Sequence, residues 1–468
     1  MDKEEDKITM KFEEEINESY TMAEAIQEAQ RCLHCKVPQC KKGCPIGNDI
    51  PDWIHELKKG NLGNAISIIR AKSNLPAVCG RVCGHEKQCE GSCVLGKKGE
   101  AVHIGKLERF IADFDSENGL THEDIAEKTR GKVAVIGAGP SGITVAGDLS
   151  RMGFAVEMFE MEPQCGGMLR YGIPEYRLPK EVVAREIRHI EKMGVIIHRN
   201  THIGVEVTVD GLFKQGFDAI FIGTGTSKPK SLEIPIYQNG KCISETSNPV
   251  KCGDLKRIRL ATHFLRRVEL ISEGFMDRKE IPVDEGAKVW VIGCGNTAMD
   301  ASRTALRIGA SEVNVIYHKG IDNMSALKAE YADAVKEGVL FHWWSAIKEI
   351  HVDESLDITE IVLETHEPDK EPVVQTLPAD NIIMAIGATP NTKIVRTTSG
   401  LENDDHNFLI TRDLPYGMTT RKGVFAGGDV VGRQATVVHA MQDAKKVAEG
   451  IAQYVDAVKL MQAINLND

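Results

Sequence analysis

The stretch "KVAVIGAGPSGITVAGDLSRMGFAVEMFEMEP", residues 132–163, has the order apolar strand, glycine-rich turn, helix and second strand. Gly137, Gly139 and Gly142 form the pattern G-x-G-x-x-G directly after the first strand. In this pattern the first glycine permits a tight turn, the second lets a pyrophosphate approach the backbone, and the third lets helix and strand pack closely. Glu160 ends the second strand, where a carboxylate can accept a ribose hydroxyl. The glycines alone are a weak signal, but with strand, helix and acid in register they predict a Rossmann-like dinucleotide-binding domain.

The pattern recurs in "KVWVIGCGNTAMDASRTALRIGASEVNVIYHKG", residues 288–320. Gly293, Gly295 and Ala298 stand at the same offsets, 156 residues (293 − 137) after the first copy. Two dinucleotide-binding domains in one chain indicate a flavin and a nicotinamide cofactor.

The second copy has no acid at the end of its second strand, where His318 and Lys319 stand instead. Basic groups there suit a 2′-phosphate and therefore NADP(H). A solvated His-Lys pair explains the same residues equally well. Arg303, on the helix after the glycines, is a further candidate for the 2′-phosphate.

Later segments complete both domains. "DAIFIGTGTSKP" (218–229) and "NIIMAIGATPN" (381–391) are typical of closing strands that end in glycine. Residues 419–448 give a strand, then Gly428 and Asp429, then a helix. An Asp at that place can bind the ribityl chain, while the positive end of the helix points at the flavin ring. The nicotinamide domain is therefore predicted to be inserted into the flavin domain.

Composition restricts the class of protein. The formal net charge is −11 over 468 residues, so the chain lacks the basic surplus that nucleic-acid binding needs. We expect neither a secretory signal nor a membrane span, because the N-terminal residues are acidic and no apolar run is long enough. We expect a soluble cytoplasmic protein without nucleic-acid or membrane partners, in which the twelve cysteines are reduced.

Eight of those cysteines lie before residue 94, in two groups: Cys32, Cys35, Cys40, Cys44 and Cys79, Cys83, Cys89, Cys93. The first group, C-x2-C-x4-C-x3-C-P, is close to the bacterial ferredoxin pattern, in which the last cysteine ligates the other cluster. The spacing favours iron–sulfur over zinc, which remains the alternative. Eight ligands suggest two interleaved four-iron clusters, and the flanking segments have helical periodicity.

Seven segments, taken in order, carry a resemblance: "RCLHCKVPQCKKGCP", "NLPAVCGRVC", "HIGKLERFIAD", "GAGPSG", "GGMLRYGIPEYRLPK", "GCGNTAMD" and "FAGGDVV". Over residues 20–455 the chain resembles the glutamate synthase small subunit family. This family includes the N-terminal part of dihydropyrimidine dehydrogenase and the large subunit of the electron-bifurcating NADH-dependent reduced ferredoxin:NADP oxidoreductase (Nfn). The resemblance implies an α/β chain with an N-terminal all-helical iron–sulfur domain, followed by two Rossmann-like domains, an FAD domain with an inserted NADPH domain. The predicted ranges are 1–128 for the clusters, 129–228 and 389–468 for FAD, and 229–388 for NAD(P)H.

The resemblance also implies ligands for two [4Fe-4S] clusters. One cluster would take Cys32, Cys35, Cys40 and Cys93, and the other Cys44, Cys83, Cys89 and Glu108, which leaves Cys79 as a packed thiol. The residues alone favour a different interpretation, in which Glu108 is a surface carboxylate paired with Arg109 or Lys106.

Motifs and resemblance together give the cofactor-binding candidates. For FAD they are Gly137, Gly139, Pro140, Ser141, Gly142, Glu160, Gly167, Met168, Tyr171, Arg177, Gly225, Gly428, Asp429, Ala435 and Thr436. For NADP(H) they are Gly293, Gly295, Asn296, Thr297, Ala298, Arg303, His318, Lys319 and Gly387. We expect no catalytic side chain, since FAD carries the chemistry.

A hydride donor, a flavin and one-electron clusters together make an electron converter. The 468 residues leave no room for an amidotransferase domain or a substrate barrel, so we expect a second subunit. The first hypothesis is an Nfn-type large subunit, with a flavin/iron–sulfur partner and ferredoxin as acceptor. The second is a glutamate synthase small subunit that supplies NADPH electrons to a glutamate-forming large subunit. A non-catalytic scaffold is the third, against which the intact glycines and cysteines argue.

Overall fold

The computed structural model of the chain describes residues 15–16, 18–123, 125–230, 232–245, 250–432 and 436–465. Its contacts divide the chain into two units. The main unit comprises Glu15–Arg170, Arg177–Lys228 and the residues from Thr389 onward. The inserted unit comprises Tyr171–Tyr176 and Pro229–Ala388. In the described residues, no helix combines the length and the apolar character that a membrane span requires.

The main unit begins with short helices that contain or flank the cysteine groups. They are α1 (Met22–Gln30), α2 (Gln39–Gly43), α3 (Ile50–Lys58), α4 (Leu62–Arg70), α5 (Pro76–Val82) and α6 (Ile104–Asn118), with 3-10 turns at His85–Lys87 and Val94–Lys97. A capping box between Thr21 and Glu24 starts α1, and Gly119, with a φ of +64°, ends α6. Trp53, Ile66 and Leu107 are fully buried between these helices. A buried apolar core thus holds the cysteine loops at its surface.

The first Rossmann-like part follows. Its elements are β1 (Gly131–Ile136), α7 (Pro140–Arg151), β2 (Phe154–Phe159), α8 (Met168–Tyr171), α9 (Lys180–Lys192), β3 (Ile196–His198), α10 (Val209–Lys214) and β4 (Ala219–Ile222). Strand β1 is parallel to both β2 and β4, with Val133 opposite Val156 on one side and Ala219 on the other. The buried apolar strand β1 therefore lies inside a parallel sheet, as the continuous apolar run in its sequence indicates.

The next elements belong mainly to the inserted unit. They are β5 (Lys228–Pro229), β6 (Ile236–Gln238), β7 (Lys241–Cys242), β8 (Ile258–Leu260), α11 (Ala261–Ser272), β9 (Lys288–Ile292), α12 (Asn296–Arg307), β10 (Glu312–Tyr317), α13 (Lys328–Lys336), β11 (Leu340–Trp343), β12 (Ser345–Val352), β13 (Ile358–Thr365), β14 (Val373–Pro378), β15 (Asn381–Met384) and β16 (Ala388–Thr389). Short 3-10 turns lie at Cys252–Asp254, Arg278–Glu280 and Ile321–Asn323.

Two five-stranded sheets form the inserted unit. The parallel sheet has the order β11-β10-β9-β15-β8, and the second sheet has the order β14-β13-β12-β6-β7. Trp290 and Ile382 of the parallel sheet share a buried core with Ile350 and Ile361 of the second sheet. A separate core joins the parallel sheet to α11 and α12, for example through Val291. The parallel sheet therefore has helices on one face and the second sheet on the other.

The chain then returns to the main unit through α14 (Lys393–Arg396), β17 (Thr411–Asp413), β18 (Tyr416–Thr419), β19 (Val424–Ala426), a 3-10 turn at Gly428–Val431 and α15 (Val437–Asn465). Strand β19 pairs parallel with β4, with Phe425 opposite Phe221. The seven-stranded sheet therefore has the order β17-β18-β19-β4-β1-β2-β3. Residues before and after the inserted unit thus build one sheet.

A buried charge cluster fastens the cysteine-bearing helices to this sheet domain. Arg70, at the end of α4, contacts Asp115 of α6 at 3.4 Å and Glu186 of α9 at 3.2 Å. Glu186 also accepts a hydrogen bond of 2.9 Å from the backbone N–H of Ala77 in the first turn of α5. All three charged side chains are less than one-tenth exposed. Each charge is therefore compensated inside the protein.

We predict that Glu186→Ala lowers the free energy of unfolding by about 3–5 kcal/mol, because it leaves a buried guanidinium with one partner fewer. Glu181→Ala is the matched control on the same helix, since Glu181 pairs with Arg188 at an exposed position and should cost less than about 1 kcal/mol. Urea unfolding followed by circular dichroism measures both variants. Equal losses would contradict the role of the buried cluster.

Candidate functional site

The first glycine turn leaves room where a pyrophosphate would approach. Gly139 is the N-cap residue of α7 and has an ordinary φ of −82°, so its backbone does not require glycine. A Cβ atom at Gly139 would meet only the Cα of Gly167, at 3.9 Å. At Gly142, by contrast, a Cβ would lie 1.9 Å from the carbonyl oxygen of Gly137. The third glycine thus serves packing, while the second borders open space at a helix N-terminus whose first N–H groups have no partner within the helix.

Glu160 is held beside this turn. Its carboxylate accepts hydrogen bonds from the backbone N–H groups of Ala138, at 2.8 Å, and Glu162, at 2.9 Å. Burial raises the pKa of this carboxyl group. A carboxylate has about four acceptor positions, so two N–H donors leave capacity for a ribose hydroxyl.

The second flavin candidate region lies against the first. Gly428 has a φ of +75°, and a Cβ atom there would lie 3.0 Å from Ser141 Oγ. The N–H of Gly428 donates to Asp443 Oδ2 at 2.8 Å, and the Tyr416 hydroxyl donates to Asp443 Oδ1 at 2.7 Å. Burial raises the pKa of the neighbouring Asp429 to about 6. Sequence reasoning missed Asp443, which lies on α15 and fixes the turn that carries Asp429.

Among the remaining flavin candidates, Gly167 lies next to the first glycine turn, since a Cβ added at Gly139 would be 3.9 Å from its Cα. Gly167 and Gly225 have φ values of +52° and +64°, Arg177 and Tyr171 are buried, and Met168 is 40% exposed. Thr436 Oγ1 lies 2.6 Å from His439 Nδ1, and Pro140 is the first residue of α7. Ala435 lies outside the described residues. The contacts group Tyr171 with the inserted unit.

The second glycine turn has the same design within the inserted unit. Gly295 is the N-cap residue of α12, and a Cβ there would lie 3.3 Å from Ser325 Oγ. Gly293, with a φ of +119°, packs where a Cβ would lie 2.5 Å from the Ala385 carbonyl oxygen. The side chain of Asn296 accepts a 2.9 Å hydrogen bond from the N–H of Leu327 and so holds the start of α13.

Five other candidates complete this nucleotide region. Ala298 is fully buried and Thr297 is half-buried. Gly387, with a φ of +89°, lies near Lys230, whose Nζ would be 3.5 Å from an added Cβ. His318 and Lys319 are exposed directly after β10. An exposed lysine and an exposed histidine at the end of a parallel strand can donate hydrogen bonds to an anionic group of a nucleotide.

Arg303 has a different environment. Its side chain is 1% exposed, and it contacts Glu337 at 2.7 Å and Glu330 at 3.3 Å. The guanidinium also lies over the Tyr176 ring, 4.9 Å from the ring centroid. The sequence-based prediction that Arg303 contacts a 2′-phosphate is not supported by this arrangement, because carboxylates already compensate its charge.

The first set of predicted cluster ligands surrounds one pocket. Cys32, Cys35, Cys40 and Cys93 all line it. Burial raises the pKa of Cys32, and it raises that of Cys40 to about 11, with further contributions from the neighbouring thiols. The fourth ligand arrives from a loop more than fifty residues away in sequence, as an interleaved arrangement requires.

The second set lies deeper. Burial raises the pKa of Cys44 to about 11 and that of Cys89 well above its usual range, and the Glu108 charge adds to both effects. For Cys83 a hydrogen bond with Cys79 is the first cause of a raised pKa, followed by burial and Glu108. Three thiols and one carboxyl group are therefore near enough to repel one another when ionised, so they suit a cation that compensates their charge.

Glu108 is not a surface carboxylate. It is 8% exposed, and burial followed by the Glu186 charge raises its pKa to about 8. Within the described part of the chain Glu108 forms no salt bridge, whereas Arg109 pairs with Glu15 at 2.9 Å and Lys106 lies over the Tyr20 ring. The alternative pairing of Glu108 with Arg109 or Lys106 is therefore wrong.

A single-ion site is not formed by these ligands. Across the described ranges, no three His, Cys, Asp or Glu side chains are arranged so that they could hold one metal ion.

The loop after Cys44 and the side chain of Cys79 both contact the helix that follows the predicted flavin turn. Gln442 Nε2 of α15 donates to the Pro45 carbonyl oxygen at 2.7 Å, directly after Cys44. The Cys79 thiol lies 3.7 Å from the Met441 sulfur. One helix therefore borders both the Gly428–Asp429 turn and the loop that carries Cys44.

Comparisons with known proteins agree with this architecture. Residues 9–120 match the family described as dihydropyrimidine dehydrogenase domain II, 4Fe-4S cluster, and residues 120–444 match pyridine nucleotide-disulphide oxidoreductase. The chain is 35% identical to the glutamate synthase [NADPH] small chain of Halomonas elongata over 457 residues, which cover 94% of this chain and 93% of that protein. It is 33% identical to the Escherichia coli K12 glutamate synthase [NADPH] small chain over 462 residues, 94% of each.

Among solved structures, FprA from Mycobacterium tuberculosis in complex with NADPH shares the fold, with a TM-score of 0.55 and 18% identity over 71% of this chain and 86% of that one. These matches confirm the predicted α/β class, with an iron–sulfur domain followed by Rossmann-type domains. The chain therefore belongs to the family of the glutamate synthase small chain, and it is an NAD(P)H-dependent flavin and iron–sulfur oxidoreductase subunit.

Proposed function

We propose that the chain moves electrons between NADPH and one-electron carriers through FAD and two [4Fe-4S] clusters. The contact of α15 with the Cys44 loop is the observation that carries this proposal. FAD bound between the first glycine turn and the Gly428–Asp429 turn would lie at one end of that helix. FAD exchanges electrons in pairs with a nicotinamide and singly with iron–sulfur clusters.

The ligand sets of the two clusters follow the grouping of the thiols. The first comprises Cys32, Cys35, Cys40 and Cys93, and the second comprises Cys44, Cys83, Cys89 and Glu108. The pocket lined by the first set and the burial of Glu108 among the second support this assignment. Cys79, which contacts Cys83, Ser73 and Met441, is proposed as a packed thiol.

The protein's own groups determine how FAD is held. The N-terminus of α7 would bind the pyrophosphate, Glu160 would accept a ribose hydroxyl, and Asp429 would bind the ribityl chain. Asp443 fixes the Asp429 turn through the Gly428 N–H. In the inserted unit the α12 N-terminus would bind the nicotinamide dinucleotide, and His318 and Lys319 would bind its 2′-phosphate.

The surface beside the first cluster suits an electron-accepting partner. Leu33 is 63% exposed and Val37 is 60% exposed, so two large apolar side chains near each other in sequence face solvent. Lys36 in the same loop and Lys42 in α2 are also exposed, in a chain whose net charge is −11. An apolar pair among cations fits a partner surface with acidic residues.

Two partners are candidates. The segments "CKVPQCKKGCPIG" and "CVLGKKGEAVHIG" resemble those of short Nfn-type large subunits, whose FAD would split the electron pair between a partner flavoprotein and ferredoxin. The identity to glutamate synthase small chains over more than nine-tenths of their length favours a glutamate-forming large subunit as the partner. In both cases the chain supplies NADPH electrons to a second subunit.

We predict that Gly139→Ala weakens FAD binding about tenfold to a hundredfold while the chain still folds. The added methyl has room in the protein, but it would displace the pyrophosphate from its charge-assisted hydrogen bonds, worth about 1.5–3 kcal/mol. Gly295→Ala is the matched control, because it should retain FAD and lose NADPH affinity instead. Flavin absorbance and isothermal titration with NADPH measure the two effects. Undiminished FAD binding in Gly139→Ala would contradict the assignment.

The partner prediction is tested by anaerobic purification of the tagged chain from its native host. A second subunit should co-purify at a constant ratio. With an Nfn-type partner, NADPH should reduce ferredoxin only when NAD is also present, and with a glutamate synthase partner NADPH oxidation should produce glutamate. A chain that purifies alone and reduces neither acceptor would contradict the proposed function.

A further inference from the structure

Asn48 is a buried polar residue next to the second cluster site. It follows Cys44 by four residues, and only 2% of its surface is exposed. Its side-chain Nδ2 lies 3.5 Å from Glu108 Oε1. Its Oδ1 is buried without a hydrogen-bond partner in the described structure. The amide of Asn48 is thus the polar group that faces the Glu108 carboxylate.

The same loop also holds Cys44. The backbone N–H groups of Asn48 and Ile46 both donate to the Cys44 sulfur. Asn48 therefore contacts two proposed ligands: its backbone N–H contacts Cys44, and its side chain contacts Glu108. Gln442 anchors the start of this loop at Pro45.

Burial of the Asn48 side-chain amide costs free energy. A buried carbonyl oxygen without a donor costs about 1–3 kcal/mol, and an apolar side chain of the same size would avoid that cost. A carboxylate that binds a metal through one oxygen needs a hydrogen-bond donor for the other, since such outer partners orient the ligand and tune the metal. Asn48 Nδ2 stands beside Oε1 and leaves Oε2 available.

We propose that Asn48 is a positioning residue for the cluster bound by Glu108: its amide holds Oε1 so that Oε2 binds the cluster, and its N–H donor raises the reduction potential of that cluster. The inference rests on the ligand set given under Proposed function. The donor stabilises the extra negative charge of the reduced cluster, because an N–H dipole pointing at a ligand favours the more negative state.

The test uses Asn48→Leu and Asn48→Asp in the anaerobically purified chain, with EPR-monitored redox titration. Asn48→Leu should lower the equilibrium constant for reduction of one cluster about tenfold, which is about 59 mV for one electron, and Asn48→Asp should lower it further because it adds a negative charge. The other cluster and the FAD content should not change. Asn381→Leu is the matched control, since Asn381 is also buried (1% exposed) with unpartnered side-chain atoms but lies in the inserted unit.

Variants of Glu108 separate the inference from the ligand assignment. In a Glu108→Cys background Asn48→Leu should shift the potential by less than half as much, because a thiolate has no second oxygen to hold. If Glu108→Gln alters one cluster but Asn48→Leu shifts neither potential, the inference fails and the ligand set stands. If Glu108→Gln leaves both clusters unchanged, the ligand set and the inference about Asn48 are both wrong. Loss of that one cluster alone in Asn48→Leu supports the positioning role, whereas equal loss of both clusters contradicts it.

Discussion

The buried carboxylate of Glu186 joins the cysteine-bearing helices to the flavin fold. It accepts hydrogen bonds from Arg70 and from the N–H of Ala77, so it fixes the ends of α4 and α5 against α9. Helix α5 contains Cys79 and ends at Cys83, and its position therefore follows that of α9. The Glu186 charge also reaches Glu108 and adds to the rise of its pKa. Glu186 thus fixes the start of the helix that carries Cys79 and contributes to the electrostatics around Glu108.

Helix α15 contacts both the cysteine-bearing loops and the predicted flavin turn. The Cys44 loop and Cys79 contact Gln442 and Met441 within one unit of the structure. Helix α15, which carries both contacts, also supplies Asp443 for the predicted flavin turn. The predicted flavin turn and the loop that carries the predicted ligand Cys44 therefore both contact helix α15.

Local patterns in the sequence predicted the two glycine turns well, because strand, turn, helix and acid follow one another within about thirty residues. Contacts between residues that are distant in sequence could not be predicted from these local patterns. Arg303 was assigned to a phosphate because its carboxylate partner Glu337 lies 34 residues away, and Asp443 was missed because Gly428 lies 15 residues away.

The burial of Glu108 was likewise invisible to composition and spacing, and only the resemblance to a known family pointed to it. The second sheet of the inserted unit was not predicted, although its strand Ser345–Val352 buries Ile347, Ile350 and Val352 and leaves Lys348 exposed, a pattern typical of a half-buried strand. The fold class followed from periodicity and glycine spacing, while the contacts between distant helices required the structure.

Freeze-quench EPR of the isolated chain after anaerobic mixing with NADPH, on protein assayed for iron, sulfide and flavin, tests the proposed electron path most directly. We expect about eight irons, about eight sulfides and one FAD per chain, bleaching of the flavin absorbance, and then EPR signals of reduced clusters without any added partner. Flavin reduction with no cluster signal, or zinc in place of iron and sulfide, would contradict it.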